Sequence, residues 1–148
     1  MSNLKKCLFL IFLLFSSFLK AEIVNDVKIN GNTRISDETI KIYGKIETNK
    51  NYNELELNKI LKNLYTTDFF EDIKINLSNG ILSIDVKEYP IINQLIIIGE
   101  KKKSFRNQIA KLLKLKEKRS FIKNYLSSDI DLIKNFYSSI GYNFSNVT

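Results

Sequence analysis

The stretch IKINLSNGILSIDV, Ile73–Val86, decides the fold. Ile73, Ile75 and Leu77 alternate with polar residues, and Leu82, Ile84 and Val86 do the same beyond Asn79-Gly80. Successive side chains leave a strand on opposite sides, so alternation with period two marks a strand with one buried face. Asn-Gly between two such runs marks a two-residue hairpin turn, because both central residues of a type I′ turn need positive φ. The pattern predicts antiparallel strands Phe70–Leu77 and Ile81–Glu88, with Asn79 and Gly80 at the turn.

Upstream, the period changes. Leu57, Ile60, Leu61, Leu64 and Tyr65 recur at helical spacing, and Asn53 with Glu56 three residues on reads as a capping box. A shorter helix over Asp37–Tyr43 has Ser36 as its N-cap and Gly44 in the place of a C-cap glycine. Before it, Val24–Asn30 reads as a strand ending at Gly31-Asn32. The segment between the helices reads as a polar loop. The order is therefore strand, helix, helix, strand, strand, which is an α+β arrangement.

The pattern then starts again. Ile91–Gly99 reads as an apolar strand that closes on a glycine 68 residues after Gly31. A Lys-rich helix follows, with Phe105, Ile109, Leu112 and Leu113 on one side. A longer helix carries Ile122, Tyr125, Leu126, Ile133, Phe136, Tyr137 and Ile140. Asn143–Val147 could open another strand, and the sequence stops before a second hairpin. Two copies of one unit are expected, 22–89 and 90–148, the second lacking its C-terminal hairpin and looking truncated.

Composition removes most bond chemistry. Among 148 residues there is no His and no Trp, and the single Cys is Cys7. The five glycines are too scattered to build a phosphate-cradling loop. No catalytic residue, metal ligand or cofactor site is expected. Glu54/Glu56 and Asp129/Asp131 stand two apart, a spacing that sends helical side chains to different faces. Met1–Lys6 is basic, Cys7–Leu19 is apolar apart from two serines, and Lys20-Ala21 precedes a polar chain. Residues 1–21 therefore read as a secretory signal peptide; an uncleaved anchor is the alternative, since Leu19 is large for its place in the cleavage site. The net charge of +7 is lopsided: residues 100–148 hold 11 basic and 4 acidic side chains, and residues 22–99 hold 9 and 12. The basic stretch Lys101–Arg119 reads as a solvated surface, with an anionic lipid surface or nucleic acid as the sharper alternatives. The apparent leader and the scarcity of aromatics there weigh against nucleic acid, and no nucleic-acid partner is expected.

Taken together these residues resemble the tandem POTRA domains of BamA-like outer-membrane assembly factors. VKINGNTRIS (Val27–Ser36) resembles the start of a first POTRA domain. LYTTDFFEDIKI (Leu64–Ile75) is similar to the end of its second helix and the next strand. LSIDVKEYPIINQLIIIG (Leu82–Gly99) is similar to the step between two such domains, where V-x-E-x-P is typical. DLIKNFYSSIGYNFSNV (Asp131–Val147) resembles the end of the second domain's long helix. The resemblance spans nearly all of Ile23–Val147 and departs at Glu100-Lys101, where the family has Asn-Lys.

The resemblance implies β-α-α-β-β domains, each a three-stranded mixed sheet covered by two helices. It implies a non-enzymatic scaffold at the periplasmic face of the outer membrane, held there by a barrel missing from these residues. The implied partners are unfolded outer-membrane proteins and periplasmic chaperones or assembly lipoproteins. TamA-like proteins, two-partner-secretion transporters and FtsQ-type cell-division proteins share the domain and stand as alternatives. In this family the strand after the second helix lies on a sheet edge, which can add an extended client as a further strand. That places the candidate site on Phe70, Glu71, Asp72, Ile73, Lys74, Ile75, Asn76 and Leu77. Lys74 is the expected position for a proline probe of that edge.

Overall fold

The computed structural model describes residues 21–147. The expected leader, but for Ala21, lies outside the described residues. β4 (Phe70–Ser78) and β5 (Ile81–Glu88) form the antiparallel hairpin, with Ser78 opposite Ile81. Asn79 and Gly80 have φ of 53° and 75°, the two left-handed residues that a type I′ turn requires. On the other side of β5 lies β2 (Asp26–Asn30), parallel to it, so the sheet order is β2-β5-β4. Parallel neighbours need a long crossover. Here it runs through α1 (Asp37–Gly44) and α2 (Glu54–Tyr65).

The caps anticipated from the sequence form. Ser36 Oγ accepts from the Thr39 N–H at 3.3 Å. Asn53 Oδ1 accepts from Glu56 N–H at 3.0 Å, and Glu56 Oε2 accepts from Asn53 N–H at 3.1 Å. Between sheet and helices the core gathers Ile40, Ile60, Leu64, Phe70, Ile73, Leu82, Ile84 and Val86, all buried. Ile75 and Leu77 are half-buried and pack against it.

Four expectations need correction. Gly44 is not the left-handed cap; Lys45 is, at φ 55°. Gly44 is the last residue of α1 and is buried, where a Cβ would lie 2.8 Å from Ile46 Cδ1 and 3.3 Å from Ile60 Cγ2. Its role is to leave room first for the Ile46 side chain and then for Ile60 of α2. Second, Val24–Asn30 is two strands. β1 (Glu22–Val24) peels away and pairs antiparallel with β3 (Lys50–Tyr52), inside the segment expected to be a loop. The break is at Asn25, whose N–H donates to Gly80 O at 2.7 Å, as Asp26 N–H does at 3.2 Å. The hairpin turn thus bends the first strand.

Beyond Pro90 the chain forms α3 (Lys103–Leu112) and α4 (Lys123–Ser139), joined by an edge-to-face contact of Phe105 and Phe136 at 5.6 Å. Leu112 points outward while Leu113 and Leu115 are buried, because the backbone turns extended at Leu113. The third correction is that Ile91–Gly99 makes no strand; it contributes one bridge, Ile91 to Ser120. A strand exists through its ladder, and no described residues offer 95–98 what β5 offers β2. Ile96 and Ile98 are accordingly 63% and 88% exposed. Fourth, Asn143–Val147 is not a strand either, for the same reason.

The turn carries a prediction. A Cβ on Gly80 would stand 2.5 Å from Asn25 Nδ2 and 3.3 Å from Ile23 O, besides straining a positive φ. Gly80→Val is expected to cost about 2 kcal/mol, and Asn79→Ala less, in denaturant melts. Unchanged midpoints for Gly80→Val would contradict this turn geometry.

Candidate functional site

β4 is an edge strand, as the family resemblance implied. Which of its backbone groups are free follows from the turn. In a two-residue hairpin the residues flanking the turn form a hydrogen-bonded pair, and such pairs alternate along an antiparallel ladder. Ser78, Asn76, Lys74 and Asp72 therefore bond to β5, opposite Ile81, Ser83, Asp85 and Lys87. Ile73, Ile75 and Leu77 turn their N–H and C=O to the free edge. One side-chain contact supports this assignment independently: the Ile73 N–H donates to Tyr65 Oη at 3.2 Å, from the end of α2.

The sequence-chosen residues thus divide. The Ile75 and Leu77 N–H groups, with the carbonyls of Ile73, Ile75 and Leu77, form the open edge. Lys74 and Asn76 expose their side chains but direct their backbone inward to β5. Lys74 is consequently the wrong place for a proline probe, and Ile75 is the right one. Phe70 is core, 2% exposed. Glu71 sits at a bulge between Phe70 and Asp72, where its carboxylate pairs with Lys87 Nζ at 2.7 Å. The bulge ends regular pairing, so the useful edge runs from Ile73 to Leu77. Tyr65 was read only as a helix-face residue; its hydroxyl also closes one end of that edge.

The other edge, β2, is short and guarded. Asp26 Oδ1 accepts from Val27 N–H at 2.8 Å, and Asn30 Nδ2 donates to Asp85 Oδ1 at 3.0 Å. The Asn30 bond ties β2 to β5, and a five-residue strand with a charge at its start is a blunted edge.

Glu88 closes the opposite end of the hairpin. Its Oε1 accepts from Thr33, Arg34 and Ile35 N–H at 2.8, 2.9 and 3.0 Å, and Oε2 meets Arg34 Nε at 2.9 Å. Burial by itself would raise this carboxyl's pKa. The three N–H donors and the Arg34 guanidinium outweigh it and hold Glu88 below the usual carboxylate range. Arg34 also donates to Tyr89 O at 2.8 Å, so the loop before α1, the end of β5 and the start of the second unit are fastened at one point. This explains the glutamate of the V-x-E-x-P step.

The family model for POTRA, "Surface antigen variable number repeat", matches residues 22–89 and again 90–148. The outer membrane protein assembly factor BamA of Neorickettsia risticii (strain Illinois) is 31% identical over 129 residues, covering 86% of this chain and 17% of that protein. BamA of Neisseria meningitidis serogroup B is 32% identical over 78 residues, covering 53% of this chain and 10% of that one. The chain therefore spans less than a fifth of the length of these relatives. Among solved structures, the N-terminal domain of Omp85 from Thermosynechococcus elongatus superposes with a TM-score of 0.57 at 17% identity, over 83% of this chain and 54% of that one. The first two POTRA domains of Omp85 from Anabaena give 0.54 at 13% identity, over 87% and 86% of the two chains. This chain belongs to the POTRA family. Its curated relatives are BamA proteins, and its α+β fold with a three-stranded mixed sheet is that of Omp85 POTRA domains.

Proposed function

We propose that this chain is an exported periplasmic scaffold in outer-membrane protein assembly, built of two successive POTRA units at 22–89 and 90–148. In this role unfolded outer-membrane clients add as a strand along β4, while other faces dock assembly partners. It binds and orients chains and makes or breaks no covalent bond. The observation that carries the reading is the free row of Ile75 and Leu77 N–H groups beside three unpaired carbonyls on a nine-residue edge strand. Backbone recognition is tolerant of sequence, which suits a receptor for many clients. The BamA relatives favour this role over transport or cell division.

Each added hydrogen bond is worth only about 1 kcal/mol net, and ordering the peptide offsets part of the gain. Affinity for one strand-length peptide is expected in the high micromolar range, on the order of −5 kcal/mol. The test is an NMR titration with an extended outer-membrane strand peptide. Amide shifts are expected to centre on Ile75 and Leu77. Ile75→Pro removes a free-edge N–H and is expected to abolish binding while cooperative melting persists. Lys74→Pro removes a ladder N–H and is expected to lower the melting temperature more. Shifts confined to the helices, or a folded Ile75→Pro variant that still binds, would sink strand addition here.

A further inference from the structure

Beside Glu88 and Tyr89, where the two units meet, lies a cleft of about 280 Å³. Its charged lining is Arg34, Lys114, Lys116, Lys118 and Arg119, against the single carboxylate of Asp68. Glu88 neutralises Arg34. Asp68 Oδ2 accepts from Tyr125 Oη at 2.9 Å and faces this excess alone. Lys114, Lys116, Lys118 and Arg119 make no ion pair among the described residues. The one acidic residue of their loop, Glu117, is engaged elsewhere, accepting from Leu95 N–H at 3.1 Å.

The backbone that carries these cations is held in place by the fold and is not a loose loop. Buried Asp129 takes the N–H of Lys114 at 2.7 Å and of Leu115 at 2.8 Å on its two carboxylate oxygens. This fixes the start of the loop that leaves α3. Its far end is laid against the linker: Lys118 N–H donates to Ile92 O at 2.8 Å, Ile92 N–H to Arg119 O at 2.9 Å, and Phe121 N–H to Pro90 O at 2.7 Å. Lys116 Nζ is anchored on the carbonyls of Ala110 and Lys111 at the end of α3 and keeps a third proton free. Lys114 Nζ rests over the Tyr125 ring at 5.4 Å. Gathering unpaired cations around one cleft costs free energy through mutual repulsion, which a multiply charged anion relieves.

We infer that this inter-unit cleft is a binding site for a phosphate-bearing ligand, with Lys118 and Arg119 as the principal contacts and Lys114 and Lys116 as the flanking wall. Guanidinium and ammonium groups lining one cleft match the several oxygens and the charge of a phosphate or phosphodiester. The same chemistry is offered by an anionic phospholipid headgroup and by a soluble phosphate. An acidic peptide is the competing class. It is less suited to a small cleft whose apolar wall is limited to Phe69, Ile122 and the Tyr125 ring.

The test uses inorganic pyrophosphate as the soluble probe and phosphatidylglycerol vesicles as the lipid probe, on protein purified after expression of the full chain. Pyrophosphate is expected to give saturable amide shifts confined to residues 67–69 and 114–121. The double variant Lys118→Asn, Arg119→Gln should weaken binding roughly tenfold, at about one charge-assisted hydrogen bond's worth. Asn is chosen because Lys118 has φ 62°, which Asn tolerates. Lys101→Gln with Lys102→Gln removes the same charge from the same unit outside the cleft and should leave affinity unchanged. Flotation with phosphatidylglycerol vesicles but not phosphatidylcholine ones, lost in the cleft variant alone, assigns the phosphate to lipid; pyrophosphate binding without flotation assigns it to a soluble ligand. Non-saturating shifts, equal weakening by both double variants, or a poly-glutamate peptide that binds the cleft and resists pyrophosphate competition would each overturn the proposal.

Discussion

Gly31→Ala is expected to destabilise the first unit by about 3 kcal/mol or more, which for a unit of this size lowers its melting temperature on the order of 15 °C. Gly31 ends β2 at φ 83°. A Cβ there would lie 2.1 Å from Val86 O, on the backbone of the central strand β5. A flexible side chain could swing aside, but this carbonyl belongs to a strand paired along both of its edges. Relief requires moving β2 away from β5, at the cost of parallel hydrogen bonds, or shifting the loop that Glu88 holds. Thermal melts of the variant followed by far-UV circular dichroism check this. A loss no larger than that of an ordinary surface substitution would show that the close approach is not kept in solution.

Glu88→Ala is the second large effect, expected at about 3 kcal/mol at neutral pH. It leaves three backbone N–H groups of residues 33–35 without their acceptor and the Arg34 guanidinium with Tyr89 O but no counter-charge. Glu88→Gln keeps the shape and one acceptor and should cost less. The same carboxylate gives the first unit an acid limb. Its folded pKa lies below the unfolded value, near 4.3 for a glutamate. The folded state therefore binds its proton later than the unfolded one as pH falls. The stabilisation is complete above the unfolded pKa and drains away as pH drops through the folded one. Denaturant melts between pH 7 and pH 2 should show the wild type losing more stability than Glu88→Gln. Parallel pH curves for the two would remove Glu88 from the acid transition.

The sequence carried the local elements well, and the reasons are physical. Asn79-Gly80, the alternation on either side, and the Asn53/Glu56 box are codes written within a few residues, and all of them form. What escaped detection is written in contacts between distant residues. Asn25 bends the first strand because it meets Gly80, 55 residues away in the chain. Lys50–Tyr52 has no alternating apolar pattern and is a strand only because Glu22–Val24 lies beside it. Gly44 looked like a cap because glycine serves both caps and tight packing, and only the positions of Ile46 and Ile60 separate the two uses. Asp129 was weighed as half of a carboxylate pair, whereas its function is to hold the Lys114–Leu115 backbone. The apolar run at 95–98 satisfied every sequence criterion for a strand and lacks only a neighbour. At the edge itself, the right strand could be named, but which residues face outward depends on ladder parity, and that was settled by the turn and by Tyr65.

The parallel pairing of β2 with β5 also sets an order of events. Asp26 finds its partner at Ile81, with both helices between them. The hairpin and the helices can form from near neighbours, but the sheet cannot close until the chain is complete through Glu88. β2, the first strand of this sheet to emerge in synthesis, is thus the last to be locked. Contacts of such long range slow folding because loop closure precedes their reward. Until then the slot beside β5 stands vacant, and for that interval β5 offers an open side that the finished sheet closes.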